Sequence, residues 1–252
     1  MKIDFHTHGK LSSKFPFDRE EFMNKINEAK NEGIDSLALT EHCHAINFIE
    51  IYNFLADNYK YINDYYDVDG FKVFTGTEVT TNEKLDILLI GNREYIVELS
   101  KKVETTKGNQ KFIDIIDLFN ILDCTKLIII LAHPLRRHTL FPDIDKNIIK
   151  KIDAIEFNAT DLYNNGVSNM KNKIVELGKL LNIPITGGSD SHYFTQIGSI
   201  KNCFNVECNT ICEIKEQIKK KNFIVEISDN LEIRVKSSII IKKLIKSLEI
   251  NS

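Results

Sequence analysis

The sequence lacks the features that would assign it to several common classes of protein. It has no long basic stretch, since the three lysines at 219–221 form only a short run near a predicted helix end, and its formal net charge is −3. Proteins that hold duplex nucleic acid usually show a strong basic bias. We therefore expect no stable binding of duplex nucleic acid, although a nucleotide or a short oligonucleotide is still compatible with this charge as a substrate.

The cysteines give no sign of a disulfide framework. They are an odd number without a CxxC pair: Cys43, Cys124, Cys203, Cys208 and Cys212. This usage indicates a reducing compartment. The spacing of the last three does not match the usual pairs of a structural zinc site, so we expect buried thiols there.

Membrane segments and linkers are also missing from the pattern. The longest apolar run, LIIILA at 127–132, is far too short to cross a bilayer. No signal-peptide pattern follows Met1, so we expect a cytoplasmic protein without a membrane partner. Because no Pro-, Gly- or Ser-rich linker, composition break or internal repeat is present, residues 1–252 are predicted to form a single domain.

The sequence does contain short β-rich runs that alternate with longer helical patterns. Strands are predicted at 2–5, 36–40, 72–75, 85–90, 127–131, 154–157, 185–186, 223–227 and 231–235. Helices are predicted between most of them, with Asp18 as the N-cap of a helix over 19–31, a capping box of Thr210 and Glu213, and Ser238 as the cap of a final helix. Strands separated by helices favour an α/β barrel.

Histidines and carboxylates follow the predicted strands one after another. These residues are His6 and His8, Glu41 with His42 and His44, Glu78, His133, and Asp190 with His192. The carboxyl ends of the strands of a (β/α) barrel meet at one face, which carries the active site. We therefore expect these side chains to meet, and six of the seven histidines belong to the set.

Imidazole and carboxylate groups are the ligands of zinc, manganese and iron, so this set predicts a metal site. Residues i and i+2 of a strand point to the same side, which lets His6 and His8 face one ion. Divalent ions polarise a phosphoryl oxygen and lower the pKa of a bound water molecule. Glu41 is better suited to orient a ligand than to bind an ion, and the roles of His44 and His138 stay open.

The order of the motifs resembles the polymerase and histidinol phosphatase (PHP) family from residue 4 to about residue 194. The motifs are His6-x-His8, Thr40-Glu41-His42, Glu78, Ala132-His133-Pro134 and Asp190-x-His192. The resemblance implies a distorted (β/α)7 TIM-like barrel of the PHP type. It also implies two or three divalent ions (Mn, Zn or Fe) and hydrolysis of a phosphoester in a small phosphorylated metabolite, a nucleotide or a short oligonucleotide.

The same resemblance implies roles for individual residues. The metal ligands would be His6, His8, His42, Glu78, His133, Asp190 and His192. Glu78 would bridge two ions, and a carboxylate or His192 would assist proton transfer, so Glu78 and His192 are the candidate catalytic residues. Arg136 would bind the substrate phosphate, with a solvated surface pair formed by Arg136 and Arg137 as the alternative.

Two positions depart from the family pattern. Many members have an Asp five residues after the second histidine, as a ligand of a third ion, where this chain has Ser13. Many also have a His at the head of the fourth strand, where this chain has Asp86, whose carboxylate can replace an imidazole. Asp18 is a more distant candidate for the third ion, and the usual Thr-Asp-His is Thr-Glu-His here.

Two other functions fit parts of the pattern. Amidohydrolase-like and TatD-like barrels also begin with His-x-His and end with an Asp after a late strand, although the first type often bridges its ions with a carbamylated lysine. A PHP module that has lost ligands can be non-catalytic. The retained ligand set favours the metal-dependent phosphoesterase.

Overall fold

The computed structural model describes residues 1–137, 141 and 143–250 of the chain, so that His138 lies outside the described residues. The strands are β1 (Lys2–Thr7), β2 (Ser36–Leu39), β3 (Lys60–Ile62), β4 (Tyr65–Val68), β5 (Phe71–Thr80), β6 (Asp86–Gly91), β7 (Leu127–Ala132), β8 (Ala154–Asn158), β9 (Ile185–Gly188), β10 (Ile200–Phe204) and β11 (Phe223–Ile227). The α-helices are α1 (Arg19–Asn31), α2 (Ile49–Asn58), α3 (Arg93–Lys107), α4 (Ile115–Ile121), α5 (Lys146–Ile149), α6 (Ala159–Asn165), α7 (Val167–Leu181), α8 (Ile211–Lys220) and α9 (Leu231–Ile250).

The strands form a mixed sheet that curves into a nearly closed barrel. Its order is β11-β10-β1-β2-β5-β6-β7-β8-β9, and the β3–β4 hairpin is attached to β5 through β4. The chain that follows β9 returns beside β1. There the amide of Asp190 donates to the carbonyl of His6 (2.8 Å), and the amide of His8 donates to the carbonyl of Ser191 (2.9 Å). The expected α/β barrel shape is therefore present.

Strand β6 interrupts the regular alternation that a (β/α)7 barrel requires. It runs antiparallel to β5 and to β7, whereas β1, β2 and the first half of β5 are parallel, as are β7, β8 and β9. The finer prediction of a (β/α)7 arrangement is therefore not confirmed. The reversal has a useful consequence, because Asp86 at the start of β6 pairs with Ala132 at the end of β7. The head of β6 thus joins the rim formed by the ends of its neighbours.

The side chain of Asn202 on β10 connects β1 with β9, which are not paired with each other in the sheet. Its side-chain amide donates to the carbonyls of Ile3 (3.0 Å) and Gly187 (2.8 Å), and its Oδ1 accepts from the amide of Gly187 (2.8 Å). These are the backbone groups that would otherwise lack a partner strand. The buried side chain of Asn202 therefore supplies hydrogen bonds that backbone pairing between β1 and β9 would otherwise provide.

The continuous apolar run of β7 serves two cores. Ile128, Ile130 and Ala132 belong to the cluster inside the barrel, which also contains Ile211, Ile214 and Ile218 of α8. Leu127, Ile129 and Leu131 belong to the larger cluster between the sheet and the outer helices. The period of two in a strand divides the run in this way. Helix α8 closes the barrel at the end where β7 begins, since Lys215 Nζ donates to the carbonyl of Leu127 (2.6 Å).

Most of the predicted elements are present, and one is wrong. Asp18 caps α1 by accepting from the amide of Glu21 (3.1 Å), and Thr210 and Glu213 form the expected capping box of α8. Residues 231–235, predicted as a strand, form the first turn of α9, and Ser238 lies inside that helix rather than capping it. The alternation in LEIRV suggested a strand, but the buried positions 231, 235 and 238 have the spacing of one helix face.

Some elements were not predicted from the sequence. The β3–β4 hairpin, β10, α5 and α6 belong to this group. Helix α9, at 20 residues, is the longest in the described part of the chain. None of the helices described there combines the length and the apolar composition that a bilayer crossing needs.

The five cysteines are free and differ in exposure. Cys43 and Cys208 are buried, Cys124 and Cys203 are half-buried, and Cys212 is exposed. The expectation of buried thiols in the C-terminal cysteine group is therefore wrong for Cys212. Burial raises the pKa of the Cys43 thiol to about 12, so this group stays protonated near neutral pH.

We expect alkylation of the folded protein by iodoacetamide at pH 7.5 to occur first at Cys212, with Cys43 unreactive until the chain unfolds. The thiolate is the reactive form of a cysteine, and Cys212 is the one cysteine of the five whose side chain is exposed to the reagent. Mass spectrometry of labelled peptides measures the order. The Cys212→Ser variant should lose the fastest phase, and equal labelling of Cys43 and Cys212 in the folded state would contradict the expectation.

Candidate metal centre

Histidine and carboxylate side chains from six strand ends converge at the rim of the barrel. Four groups of three donor residues lie there, with the donor atoms of each group within 4.8 Å of one another. The first group is His6, His8 and Asp190; the second is Glu78, Asp86 and His133; the third is His8, His42 and His192; the fourth is His6, His133 and Glu156. Every metal ligand expected from the sequence belongs to one of these groups, and so does Asp86.

The first group has the spacing of ligands around one ion. His8 Nε2 lies 3.2 Å from His6 Nε2 and 3.2 Å from Asp190 Oδ1, and the latter lies 3.6 Å from His6 Nε2. Glu78 Oε2 lies 3.7 Å from His6 Nε2 and 3.6 Å from His8 Nε2. Donors placed around a tetrahedral ion at usual bond lengths are separated by about 3.3–3.6 Å. Three donor atoms therefore have the mutual spacing of ligands around one ion, and Glu78 Oε2 lies close to two of them.

Glu78 belongs to the second group and also lies next to two donors of the first group. His133 Nε2 lies 3.1 Å from Glu78 Oε1, and His133 Nδ1 lies 3.6 Å from Asp86 Oδ2. The two oxygens of the Glu78 carboxylate thus face different donor groups. Glu78 therefore lies between the first and the second donor groups. Glu78 lies within β5, which extends to residue 80, and not after the strand as the sequence suggested.

The third group consists of imidazoles alone. The ring of His8 lies 4.4 Å from that of His42 and 4.0 Å from that of His192, measured between centroids. No carboxylate from the 13–18 segment joins them. Ser13 uses its carbonyl to accept from the amide of Ile46, and Asp18 caps α1.

Three buried polar atoms in these groups have no hydrogen-bond partner among the described residues: Glu78 Oε2, His42 Nδ1 and His8 Nδ1. Glu78 Oε2 and His42 Nδ1 lie only 2.7 Å apart, yet their geometry is not that of a hydrogen bond. Leaving a buried acceptor unsatisfied costs about 1–3 kcal/mol. A cation held between these atoms would satisfy them, so the donor set fits divalent metal binding.

The carboxylates of the centre are held in their ionised form. Burial alone would raise the pKa of Glu78, but the imidazoles of His42 and His6 hold it well below its usual value. Burial likewise opposes ionisation of Asp190, yet His6 and the Arg136 guanidinium hold its pKa well below the usual range. The buried rim therefore carries concentrated negative charge that needs positive partners.

The histidines respond to this charge in opposite ways. Burial would lower the pKa of His42, but the carboxylates of Glu78 and Glu41 raise it to about 9. For His192, burial and the neighbouring His8 and Lys242 lower the pKa well below its usual value. Its Nδ1 lies 3.1 Å from the carbonyl of Lys10. His192 is thus a neutral imidazole with Nε2 directed towards Asp190.

Glu156 orients the donors of two groups, and the sequence reasoning missed it. Its Oε1 lies 2.8 Å from His6 Nδ1, and its Oε2 accepts from the amide of His133 (2.9 Å). Such a carboxylate fixes the tautomer and direction of a ligating imidazole. A signal was present, since AIEFN places Glu156 and Asn158 at the end of β8 on the same rim.

Gly188 provides the space in which Glu156 meets His6. A Cβ at Gly188 would overlap Glu156 Oε1 and would lie only 2.5 Å from His6 Cβ, which is far inside van der Waals contact. The glycine at the end of β9 is therefore required by this close approach. It sits two residues before Asp190, so the same segment supplies both the gap and a donor.

Two donors lie on strained backbone. His133 has φ of 30° and Asp190 has φ of 56°, values that residues with a Cβ rarely adopt. Conformations of this kind cost on the order of 1 kcal/mol or more and persist where the surroundings impose them. Hydrogen bonds from the amides of both residues, to Glu156 and to the carbonyl of His6, hold them in place.

Lys25 of α1 connects the chain segments that contain His8 and His192 through hydrogen bonds to both. It is fully buried, and its Nζ donates to the carbonyls of His8 (2.7 Å) and His192 (3.1 Å). Burial lowers the pKa of this lysine to about 8. Nothing in the α1 sequence distinguished Lys25 from the other lysines, because only the fold places it beneath the third donor group.

Glu41, expected from the sequence to orient a ligand, contacts two backbone amides and one imidazole of the centre. Its Oε2 accepts from the amide of Lys10 (3.0 Å) and its Oε1 from the amide of His42 (2.9 Å). Its Oε1 lies 3.6 Å from His8 Nδ1. Burial would raise the pKa of Glu41, but His8 and His42 lower it to about 2, so a carboxylate faces the histidines.

The remaining candidates lie around the donors. Arg136 is engaged with protein groups: its Nε lies 2.7 Å from Asp161 Oδ1 and its Nη2 lies 2.9 Å from Asp190 Oδ2. Arg137 reaches Asp86 Oδ2 at 3.1 Å. His44 is exposed and belongs to none of the donor groups, although its ring lies 5.2 Å from that of His42.

No protein-family model and no curated protein matches the chain. Solved structures do resemble it. PsfC from Pseudomonas syringae PB-5123 has a TM-score of 0.78 at 20% identity over 97% of this chain and 98% of that one. The lesion-specific endonuclease PfuEndoQ from Pyrococcus furiosus has a TM-score of 0.62 at 22% identity over 87% of this chain and 56% of that one.

A third structure, of a Bifidobacterium adolescentis protein assigned as a metal-dependent phosphoesterase, has a TM-score of 0.50 at 12% identity over 75% of this chain and 87% of that one. Endonuclease Q has also been solved with a 27-mer duplex that has an abasic lesion at the active site (TM-score 0.63). Identities this low relate the folds alone.

We expect the Glu156→Gln substitution to weaken divalent metal binding about 10- to 100-fold, because the neutral amide no longer increases the basicity of the His6 imidazole. Calorimetric titration of the metal-free protein with Zn²⁺ or Mn²⁺ measures the affinity. Glu176→Gln, at an exposed position of α7, is the matched control and should behave as the wild type. Equal affinities of the Glu156 variant and the wild type would rule out the orienting role.

Proposed function

We propose that this protein is a metal-dependent hydrolase that cleaves a phosphoester bond in a small phosphorylated metabolite, a nucleotide or a short oligonucleotide. The observation that carries the proposal is the position of Glu78, whose two carboxylate oxygens face two donor groups. Two ions held about 3.5–4 Å apart by a shared carboxylate are the usual centre for phosphoester hydrolysis.

The residues that would hold the ions follow from the donor groups. His6, His8, Asp190 and one oxygen of Glu78 would bind one ion, and the other oxygen of Glu78 with Asp86 and His133 would bind a second. His42 and His192 would bind a third. When bound, such ions polarise a phosphoryl oxygen and lower the pKa of a water molecule. The mixture of imidazole and carboxylate donors suits Mn, Zn or Fe.

Protein groups supply the proton transfer and the orientation. His192 is a neutral imidazole whose Nδ1 faces the carbonyl of Lys10 and whose Nε2 lies 3.7 Å from Asp190 Oδ1. Its Nε2 would bind the third ion where that ion is present, and only without that ion could the same nitrogen take part in proton transfer. Asp190 is held by Arg136 through its other oxygen. Arg136 thus orients Asp190, and its predicted contact with the substrate phosphate would use the part of the guanidinium that the carboxylates leave free.

Two features weigh against an amidohydrolase. The bridging position is occupied by Glu78 and not by a lysine that could be carbamylated. The two buried lysines nearest to the third donor group, Lys10 and Lys25, donate to backbone carbonyls. A phosphoester is therefore the better fit to this donor set than a cyclic amide.

We expect the metal-free protein to be inactive and to hydrolyse p-nitrophenyl phosphate or bis(p-nitrophenyl) phosphate after addition of Mn²⁺, Zn²⁺ or Fe²⁺. Glu78→Gln should lower kcat/KM by more than about 100-fold, since loss of a bridging ligand exceeds the effect of losing an orienting group. Release of p-nitrophenolate measures the rate. Glu98→Gln, at an exposed position of α3, is the control and should retain full activity.

The same assays, extended to cyclic amides, distinguish a phosphoesterase from an amidohydrolase and from a non-catalytic module. Hydrolysis of cyclic amides in place of phosphate esters would favour an amidohydrolase. Purified protein that holds no metal and remains inert with all three ions would identify a non-catalytic module. Either result would overturn the proposal.

A further inference from the structure

One face of α9 lies against the rim of the barrel. Leu231, Val235 and Ser238 are buried, at positions i, i+4 and i+7 of the helix. The same face continues at i+11 and i+14 with Lys242 and Ile245, because these spacings return to one side of a helix within about 40°. The helix packs on the turn at 194–196 and on α6. The buried face of α9, formed by Leu231, Val235 and Ser238, therefore continues with a lysine, Lys242.

A cavity of about 330 Å³ lies between this face of α9 and segments next to the metal centre. Ile245 lines the cavity together with Gly9 and Tyr193. These two residues directly follow His8 and His192, which belong to the third donor group. The face of α9 that carries Lys242 and Ile245 thus borders the segments that hold the third group.

Lys242 differs from the other lysines that are withdrawn from solvent near the rim. Lys10 and Lys25 donate to backbone carbonyls. Lys242 is half-buried, and its ammonium group makes no hydrogen bond or ion pair with any residue in the described part of the chain. Its charged surroundings are the carboxylates of Asp190 and Glu41 and the ammonium groups of Lys25 and Lys246.

Such a lysine is an unfavourable choice for packing alone. Burying an ammonium group without a partner costs free energy, whereas an apolar residue would continue the buried face of α9 at no such cost. Burial lowers the pKa of Lys242 to about 8, so the group is still mostly protonated at pH 7. Lys242 lies within electrostatic reach of Asp190 and Glu41 and has no partner among the described residues, so its cation is available to an anion that enters the rim.

We propose that Lys242, which follows the last predicted ligand by 50 residues, is a substrate-binding residue that contacts the phosphate of the substrate at the metal centre. This inference rests on the proposed function, because it takes the occupant of the rim to be a phosphorylated molecule. Lysine binds phosphate as a point charge and needs no bidentate geometry. Helix α9 thus contributes a binding group in addition to its packing.

The test uses inorganic phosphate and the metal-loaded full-length protein. We expect Lys242→Met to weaken phosphate binding about 10-fold in calorimetric titration, because one charge-assisted hydrogen bond is lost. The metal content, measured by plasma mass spectrometry, should not change. Lys242→Arg keeps the charge and should recover most of the affinity. The control is Lys243→Met, since Lys243 is exposed on another face of α9 and should bind as the wild type does.

The outcomes distinguish this inference from the proposed function. Equal phosphate affinity in Lys242→Met and the wild type would overturn the role of Lys242, while ester hydrolysis by the wild type would leave the proposed function intact. If Lys242→Met and Lys243→Met lost the same phosphate affinity, the loss would reflect general surface charge. That result would also overturn the role of Lys242. Failure of the wild type to bind phosphate would exclude the subsite regardless of the hydrolysis assay.

Discussion

The balance of charge at the buried rim is the constraint on which the structure depends. Glu41, Glu78, Glu156 and Asp190 are withdrawn from water and yet held as carboxylates by the histidines around them. Buried charges persist only when they are paired or when they coordinate metal ions. The unsatisfied oxygen of Glu78 shows that the protein groups alone do not complete the pairing. Divalent cations are the simplest completion of this arrangement.

Several irregular features of the barrel serve to bring these groups together. The reversed strand β6 presents Asp86 at its head to the same rim as the ends of the parallel strands. Gly188 leaves room for Glu156 beside His6, and the positive φ angles of His133 and Asp190 direct their side chains. Asn202 closes the sheet where a ladder is missing. Departures from a regular barrel are concentrated around the site, as expected where function competes with ideal geometry.

The structural neighbours and the donor set contribute different parts of the functional conclusion. The neighbours relate the folds at identities of 22% or less, and one fold can host many reactions. The reaction class is therefore argued from the site, chiefly from the shared carboxylate and the neutral His192. The third donor group, made of imidazoles alone, is the part in which this chain departs most from the family pattern that its sequence resembles.

The donor types and their order along the chain could be predicted from the sequence, because ligands that follow strands are recognised from local periodicity. Helix α1 and the capping box of α8 could be predicted as well, since their caps depend on neighbouring residues. The antiparallel course of β6, the helical state of 231–238 and the contacts of Glu156 and Lys25 could not be predicted and emerge from the folded chain. Those features depend on contacts between residues far apart in the chain, such as Glu156 with His6 and Lys25 with His192, and local pattern carries no information about such contacts.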